Sequence, residues 1–216
     1  MKISYLNIGR GFAKKADELE IILNNDKISI LGLGKTDLLP DEAILIIPGF
    51  RSIAEPNKKR RVCAYVNENI DVEVIEYEGD LPAVVFHTAQ MTVGYIYCEF
   101  TRNKVTLSVE ERREALADFL GWFDRIAKNR ACLQGDFNIN FLENTINRSM
   151  LYDWMAGSGF EQTVREPTRV TAHSSTMIDL SFIRGGGYKT HVQDSPISDH
   201  DKHFENQKIS GSNYST

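Results

Sequence analysis

Residues 131–138 read Ala-Cys-Leu-Gln-Gly-Asp-Phe-Asn, a short apolar run that leads into a polar turn. The apolar run is typical of a buried strand, and Gly135 allows the backbone to turn tightly after it. Asp136 and Asn138 are two positions apart, so in an extended segment both side chains project to one side. Chemistry is often placed at such a strand end, because the strand is rigid and the following loop is free to meet a ligand. A simple polar turn explains these residues equally well, so their meaning depends on the rest of the chain.

Length and composition indicate a soluble globular protein. With 216 residues the chain suits one domain, which we place at residues 1–204, followed by a polar tail at 205–216. The net charge of -5 argues against a protein that coats nucleic acid by bulk electrostatics. No apolar run approaches the roughly 18 to 20 residues of a membrane helix, and the N-terminus is too polar for a signal peptide. We therefore expect an intracellular protein that does not enter a membrane.

Cysteine usage gives no sign of disulfide or zinc chemistry. The three cysteines are far apart, and each lies inside an apolar run. Buried, reduced thiols are the expected outcome. The residues concerned are Cys63, Cys98 and Cys132.

Hydrophobic periodicity predicts many short strands and three widely spaced helices. The helices are expected at residues 14–24, at 108–128 with a Ser108/Glu111 capping box, and before Gly157. The strands are expected at 2–6, 28–33, 62–66, 72–77, 83–88, 91–97, 131–133 and 177–183, with a hairpin over 169–176.

This order does not fit a βαβ repeat and favours an α/β sandwich, with two sheets packed face to face and helices on the outside. Polar residues at the strand ends would then converge on one edge. A group of carboxylates with an asparagine suits an oxygen-liganded cation such as Mg²⁺, and a carboxylate-held imidazole suits charge stabilisation at a phosphate. The residues expected at this edge are Asn7, Lys35, Tyr97, Asp136, Asp179, Asp199 and His200.

The same motifs, in this order, resemble the endonuclease/exonuclease/phosphatase superfamily, and within it the apurinic-endonuclease-like endonuclease domains of non-LTR retrotransposons. The resemblance runs from about Ile3 to His200. It implies a DNase I-like four-layer α/β sandwich, with two packed mixed β-sheets flanked by helices. It also implies Mg²⁺-dependent (or Mn²⁺-dependent) nicking of double-stranded DNA, which exposes a 3′-hydroxyl for reverse transcription. The motifs that carry it are the Asn7 strand end, Gly-Tyr-Ile-Tyr at 94–97, Gly-Asp-Phe-Asn at 135–138, the run 167–179 and Ser-Asp-His at 198–200.

The resemblance implies a role for each matched residue. Asn7 and Asp199 would lie at the metal. Asp136 and Asn138 would position or activate the attacking water. Asp179 would orient His200 at the scissile phosphate, and Tyr97 would hydrogen-bond that phosphate or help to protonate the leaving oxygen. Taken alone, Asn7 is as typical of a turn, and Tyr97 is more typical of a core.

Lys35 departs from the family pattern, which has a metal-binding glutamate after the strand that reads Ile-Leu-Gly-Leu-Gly at 30–34. A charged lysine cannot ligate a cation and competes with it for the same carboxylates. Three interpretations stay open. Lys35, natural or introduced, abolishes cleavage; Asp37, two residues on, supplies the missing carboxylate; or the ammonium replaces the metal as an electrophile.

Weaker signals concern DNA contacts. Four consecutive positive charges precede the strand at 62–66, where they either grip a DNA backbone or form a solvated hairpin tip. Arg148 and the hairpin around His173 and Ser175 occupy positions where the family places loops that touch DNA. The consecutive charges are Lys58, Lys59, Arg60 and Arg61.

Two main functions follow from these observations. The first is the endonuclease domain of a retroelement, part of a larger polyprotein with reverse transcriptase and acting in the nucleus. The second is a catalytically impaired or domesticated DNA-binding module that keeps the fold. A third, a small-molecule phosphatase, would release phosphate from soluble esters without cutting DNA.

Overall fold

The computed structural model of the chain describes residues 1–9, 12–39, 42–54, 60–99, 101–102, 105–171, 173–194, 197 and 202–205. The first six-stranded sheet has the spatial order β15 (His191–Asp194), β16 (Lys202–Glu205), β1 (Ile3–Asn7), β2 (Ile30–Leu38), β4 (Arg60–Asn67) and β3 (Phe50–Ala54). The second six-stranded sheet has the order β11 (Glu161–Gln162), β14 (Asp179–Arg184), β10 (Ala131–Asp136), β7 (Thr92–Tyr97), β6 (Ala83–Thr88) and β5 (Val72–Ile75). Two small hairpins are β8 (Thr101–Arg102) with β9 (Val105–Thr106) and β12 (Arg169–Val170) with β13 (Ser175–Thr176). The helices are α1 (Ala16–Asn25), α2 (Val109–Ile126) and α3 (Ile146–Ser158), with a 3-10 turn at Phe12–Lys14.

Each sheet has two buried faces. Alternate residues of β1 separate into two clusters, with Tyr5 between the sheets and Leu6 in the cluster that contains the apolar face of α1. Helices α2 and α3 cover the second sheet, where Phe123 and Leu151 are buried. The layers are therefore helix, sheet, sheet and helix, which is the predicted four-layer sandwich.

Strand register brings the polar strand ends together. Strands β1 and β2 are parallel with Asn7 opposite Gly34. Strand β10 is parallel to β7, with Asp136 opposite Tyr97, and antiparallel to β14, with Asp136 opposite Asp179. The carboxyl ends of β1, β2, β7 and β10 and the start of β14 thus form one edge, which we call the rim.

Some local expectations were wrong. The backbone does not turn at Gly135, which stays in β10, where a Cβ would lie 2.0 Å from the carbonyl oxygen of Ile96. Helix α3 continues through Gly157 and ends before Gly159, which has a φ of 72°. Strands β3 and β15 were not predicted, because the buried residues Phe50 and Ile53 of β3 are three positions apart and do not alternate, and β15 contains a single apolar residue, Val192.

Two other expectations, the state of the cysteines and the start of α2, were met. The three cysteines are buried and free. The Ser108/Glu111 capping box starts α2, with both reciprocal hydrogen bonds formed. Across the described ranges, no helix is both long and apolar enough to cross a membrane. Strand β16 pairs with β1 and β15, and residues 206–216 of the predicted tail lie outside the described part.

Candidate active site

Asp136 is the centre of the rim and is completely buried. Its Oδ2 accepts a hydrogen bond of 2.8 Å from Nδ2 of Asn7, and its Oδ1 accepts one of 2.9 Å from the backbone N–H of Asn138. Its own backbone N–H donates to the hydroxyl of Tyr5 at 3.1 Å. Both carboxylate oxygens and the backbone N–H of Asp136 are therefore hydrogen-bonded, which fixes the orientation of the carboxylate.

Asn138 reaches the rim in a different way from the one expected. Its φ of 49° takes it out of the extended conformation, so it is not on the same side as Asp136 through strand alternation. Its Nδ2 instead donates to the carbonyl oxygen of Cys98 at 2.7 Å, and the residue is exposed. The turn predicted at Gly135 thus lies at Asn138. The side chain of Asn138 links the end of β10 to Cys98, the residue after β7.

Lys35 lies on a bulge of β2. The pairing with β4 shifts between Gly34 and Leu38, and within the bulge Lys35 and Asp37 have φ values of 57° and 51°. Left-handed conformations are rare for residues with a Cβ, so the surrounding contacts must hold them. The result is that the ammonium Nζ of Lys35 lies 3.1 Å from Oδ2 of Asp136.

A second cluster surrounds Tyr97. Arg61 on β4 forms ion pairs with Asp37 and with Glu99, the latter at 2.9 Å from Nη2 to Oε1. Its guanidinium carbon lies 5.0 Å from the centroid of the Tyr97 ring, and Nζ of Lys35 lies 5.5 Å from that centroid. Asp37 therefore faces Arg61, and its predicted role as a metal ligand stays a prediction.

The hydroxyl of Tyr97 stays protonated at neutral pH. Burial raises its pKa to about 12, with the negative charge of Asp136 acting in the same direction and Arg61 opposing it. A neutral phenol donates a hydrogen bond, so Tyr97 can serve as a donor to an anionic oxygen at the rim.

Asp179 begins β14 beside Asp136 and is 2% exposed. The buried hydroxyl of Thr168 accepts the backbone N–H groups of both Ile178 (3.2 Å) and Asp179 (3.1 Å). Thr168 thus sets where β14 starts. The expected partner His200 lies outside the described residues, as does Asp199, so the Asp179 to His200 contact stays a prediction.

Ile197, which precedes these two residues in the chain, is nevertheless attached to the rim. Nζ of Lys15 donates to the carbonyl oxygens of Ile8 (2.6 Å) and Ile197 (2.7 Å). Ile8 directly follows Asn7, so Lys15 joins the end of β1 to residue 197. The position of residues 198–200 at the rim stays a prediction.

The predicted DNA-contact residues that the structure describes lie on separate elements. Arg60 lies at the start of β4 and donates to the carbonyl oxygen of Glu42 at 3.0 Å. Arg148 packs on α3 against Tyr152, to whose hydroxyl it donates at 3.0 Å. His173 and Ser175 are exposed on the β12–β13 hairpin, while Lys58 and Lys59 lie outside the described residues.

Four residues of this site were given no role from the sequence: Tyr5, Lys15, Glu99 and Thr168. A signal existed for Tyr5, which is two residues before Asn7 on one strand and so shares its face. A second signal was the pair of glycines in the buried strand β2, since such glycines often mark the close approach of another group. Thr168 lies inside the motif run 167–179, ten and eleven residues before its two partners, but that run assigned it no role. Lys15 and Glu99 act through contacts between distant segments, for which a single sequence carries no signal.

The described residues do not fit a divalent cation. Oδ2 of Asp136, the carboxylate that faces Asn7, already has an ammonium at 3.1 Å. The part of the chain that the structure describes contains no group of three or more His, Cys, Asp or Glu side chains placed to hold a metal. This ammonium belongs to Lys35, the residue at the position where the resemblance implies a ligand to Mg²⁺.

Comparison with known proteins identifies the fold. No family model matches the sequence, and no curated protein matches it. Among solved structures, a 3′ phosphatase from Neisseria bound to a product DNA hairpin has a TM-score of 0.73 at 12% identity, over 96% of this chain and 98% of that one. An apurinic (AP) endonuclease from Archaeoglobus fulgidus has a TM-score of 0.71 at 14% identity, over 97% and 100%. The endonuclease domain of TRAS1, a telomere-specific non-LTR retrotransposon, has a TM-score of 0.69 at 16% identity, over 96% and 98%.

Proposed function

We propose that this chain, which has the DNase I-like fold of endonuclease/exonuclease/phosphatase proteins, binds duplex DNA at the rim without metal-assisted cleavage. The observation that supports this is the distance of 3.1 Å between Nζ of Lys35 and Oδ2 of Asp136. An ammonium at that distance neutralises the carboxylate and repels a second cation. The rim keeps groups that meet a phosphate, among them the protonated hydroxyl of Tyr97.

A second candidate is the nicking endonuclease of a non-LTR retrotransposon. It is favoured by the assembly of Asn7, Tyr97, Asp136 and Asn138 at one rim, and by the structural likeness to the TRAS1 endonuclease domain. In this form the chain nicks one DNA strand in the nucleus with Mg²⁺ or Mn²⁺, exposes a 3′-hydroxyl for target-primed reverse transcription, and is one domain of a polyprotein with reverse transcriptase.

A plasmid assay separates the two candidates. Supercoiled DNA is incubated with Mg²⁺ or Mn²⁺ and the wild-type chain, Lys35→Glu or Lys35→Gln, and binding of each protein to duplex DNA is measured in parallel. We expect all three to bind, and nicking only with Lys35→Glu, because a carboxylate at position 35 provides the missing acidic oxygen. Adding Asp136→Asn to Lys35→Glu should lower the nicking rate by about a hundredfold or more.

Nicking by the wild-type chain at the rate of Lys35→Glu would establish the second candidate. A wild-type chain that neither binds nor nicks DNA would overturn both. Release of phosphate from a soluble ester, without DNA cleavage, would instead indicate the small-molecule phosphatase.

A further inference from the structure

Strand β5 is an edge of the second sheet. Among the described residues it pairs with β6 alone, and its neighbour across the sandwich is β3, the edge of the first sheet, which pairs with β4 alone. Alternate backbone N–H and C=O groups of an edge strand face away from the sheet and are available to another chain. The outer side of β5 is therefore a place where a further strand can be added.

An apolar gap separates β5 from β3. It has a volume of about 110 Å³, and its lining includes Ile53 of β3, Val74 of β5 and Val84 of β6. Val74 lies opposite Phe86, whose ring packs near Tyr95 between the sheets, so Val74 faces the space between the sheets. It is nevertheless 51% exposed. A strand added beside β5 would cover it with every second side chain.

The segment that contains β5 holds a concentration of negative charge. Residues 71–80 include five acidic side chains, whereas residues 62–101 contain no lysine or arginine. Because the whole chain has a net charge of -5, the remaining residues are balanced, and the excess charge lies on this segment. All five acidic side chains are exposed. They are Asp71, Glu73, Glu76, Glu78 and Asp80.

This charge decides which occupant fits the edge. DNA is a polyanion and is repelled. A second copy of the chain that paired β5 with β5 would bring acidic side chains together, which destabilises a strand pair. A basic segment in an extended conformation meets every requirement. Its backbone pairs with β5, alternate apolar side chains cover Val74, and the lysines or arginines between them lie on the other face, beside Glu73.

We propose that the outer edge of β5 is a docking site for a basic, extended segment of a partner protein, which joins the second sheet as an additional strand. The backbone of β5 supplies the hydrogen bonds, and the acidic side chains select the partner. Strand β6 lies between β5 and β7, so this edge is separate from the rim. The docking site and the proposed DNA binding stand or fall independently.

The test uses a fluorescein-labelled peptide of alternating lysine and valine, with a peptide of alternating glutamate and valine as the ligand control. Binding to the full chain is measured by anisotropy in about 0.15 M KCl, where distant charges are largely screened. The proteins are wild type, Glu73→Lys/Glu76→Lys and the neutral Glu73→Gln/Glu76→Gln, with thermal unfolding measured for each. Asp153→Lys/Glu166→Lys is the matched control, because it makes the same change of charge at two exposed acidic residues, on α3 and after β11.

Wild type should bind the lysine peptide and not the glutamate peptide. Glu73→Lys/Glu76→Lys should weaken binding by about tenfold or more and the neutral variant by about threefold or more, whereas the control should stay within about twofold of wild type. Amide hydrogen exchange, followed by NMR, should slow on peptide binding at alternate residues of β5. These are either Val72 and Val74 or Glu73 and Ile75, since only one of the two sets faces outward.

Four results would overturn the proposal. If wild type does not bind the lysine peptide, or if the edge and control variants are weakened equally, the acidic residues only protect an edge from pairing. Binding without slower exchange in β5 would mean attraction by charge without an added strand. A wild-type dimer in sedimentation that Val74→Lys dissociates would assign the edge to a second copy of the chain. If Glu73→Lys/Glu76→Lys does not fold, the neutral variant decides.

Discussion

The ammonium of Lys35 and the side-chain amide of Asn7 meet the same oxygen, Oδ2 of Asp136, at 3.1 Å and 2.8 Å. Two donors on one buried carboxylate oxygen stabilise its charge where water cannot. The site therefore depends on Lys35 for its folded geometry, whatever its chemistry.

Lys35→Met should accordingly destabilise the fold. Breaking a buried ion pair costs about 3 to 5 kcal/mol, and we expect about 2 kcal/mol here because a quarter of the Lys35 side chain is exposed. Urea unfolding of Lys35→Met, Asp136→Asn and the double variant gives the coupling free energy. A coupling below about 0.5 kcal/mol would mean that the two residues act independently.

The Tyr97 hydroxyl makes stability depend on pH in the alkaline range. Its pKa is raised from 10.0 to about 12 in the folded state, so below pH 10 both states hold the proton. As the pH rises from 10 to about 12, the unfolded state loses its proton first, and stability falls. The difference of about two pKa units corresponds to roughly 3 kcal/mol.

The free energy of unfolding should fall less for Tyr97→Phe than for the wild type as the pH rises from 10 to about 12. Urea unfolding at a series of alkaline pH values measures the difference. Tyr77, whose pKa is also raised to about 12 by burial, contributes equally to both proteins and so cancels. Parallel pH profiles for the two proteins would show that the phenol of Tyr97 ionises as freely in the folded state as in the unfolded state.

Periodicity and local motifs predicted the fold well, because they report which face of each element is buried. The capping box at Ser108 and the apolar face of α2 are local patterns of this kind. The site is different, since its bonds join distant segments: Tyr5 to Asp136 and Lys15 to Ile197. The motif residues were found through a resemblance. Arg61 was expected to contact DNA, but its ion pair with Glu99 was not foreseen.

Lys15 should control the attachment of the segment at residue 197. Its two charge-assisted hydrogen bonds, to the carbonyl oxygens of Ile8 and Ile197, are short at 2.6 Å and 2.7 Å. Lys15→Met removes both, and we expect a loss of about 2 kcal/mol in unfolding free energy. In the Lys35→Glu background it should also lower DNA nicking, because Asp199 and His200 follow this segment directly.

Lys15→Arg is the control for that experiment, since it keeps the charge and several donors. It should retain most of the stability. Full nicking by Lys15→Met in the Lys35→Glu background would show that Asp199 and His200 need no support from β1.

Thr168→Val should disturb the start of β14. Valine has the shape of threonine but no hydroxyl, so the buried N–H groups of Ile178 and Asp179 lose their acceptor. Leaving two such donors unpaired should cost about 3 kcal/mol, and hydrogen exchange at these two amides should become faster. Thr168→Ser keeps the hydroxyl and should behave like the wild type; equal exchange in the serine and valine variants would assign these amides another acceptor.

Gly34 leaves the space that the Tyr5 hydroxyl needs in order to hold Asp136. A Cβ at position 34 would lie 1.9 Å from that oxygen, closer than any side-chain contact allows, so Gly34→Ala should destabilise the fold by about 3 kcal/mol. Tyr5→Phe alone should cost about 1 to 3 kcal/mol, because the backbone N–H of Asp136 loses its acceptor. Since Tyr5→Phe also removes the clashing atom, the double variant should be more stable than the sum of the two changes predicts.

Gly157→Ala, with nothing within 4 Å of the added Cβ and a helical backbone, is the control and should be neutral or stabilising. Strict additivity of the two changes in urea unfolding would mean that Tyr5 moves away from position 34 at little cost, and that the rim does not depend on this contact.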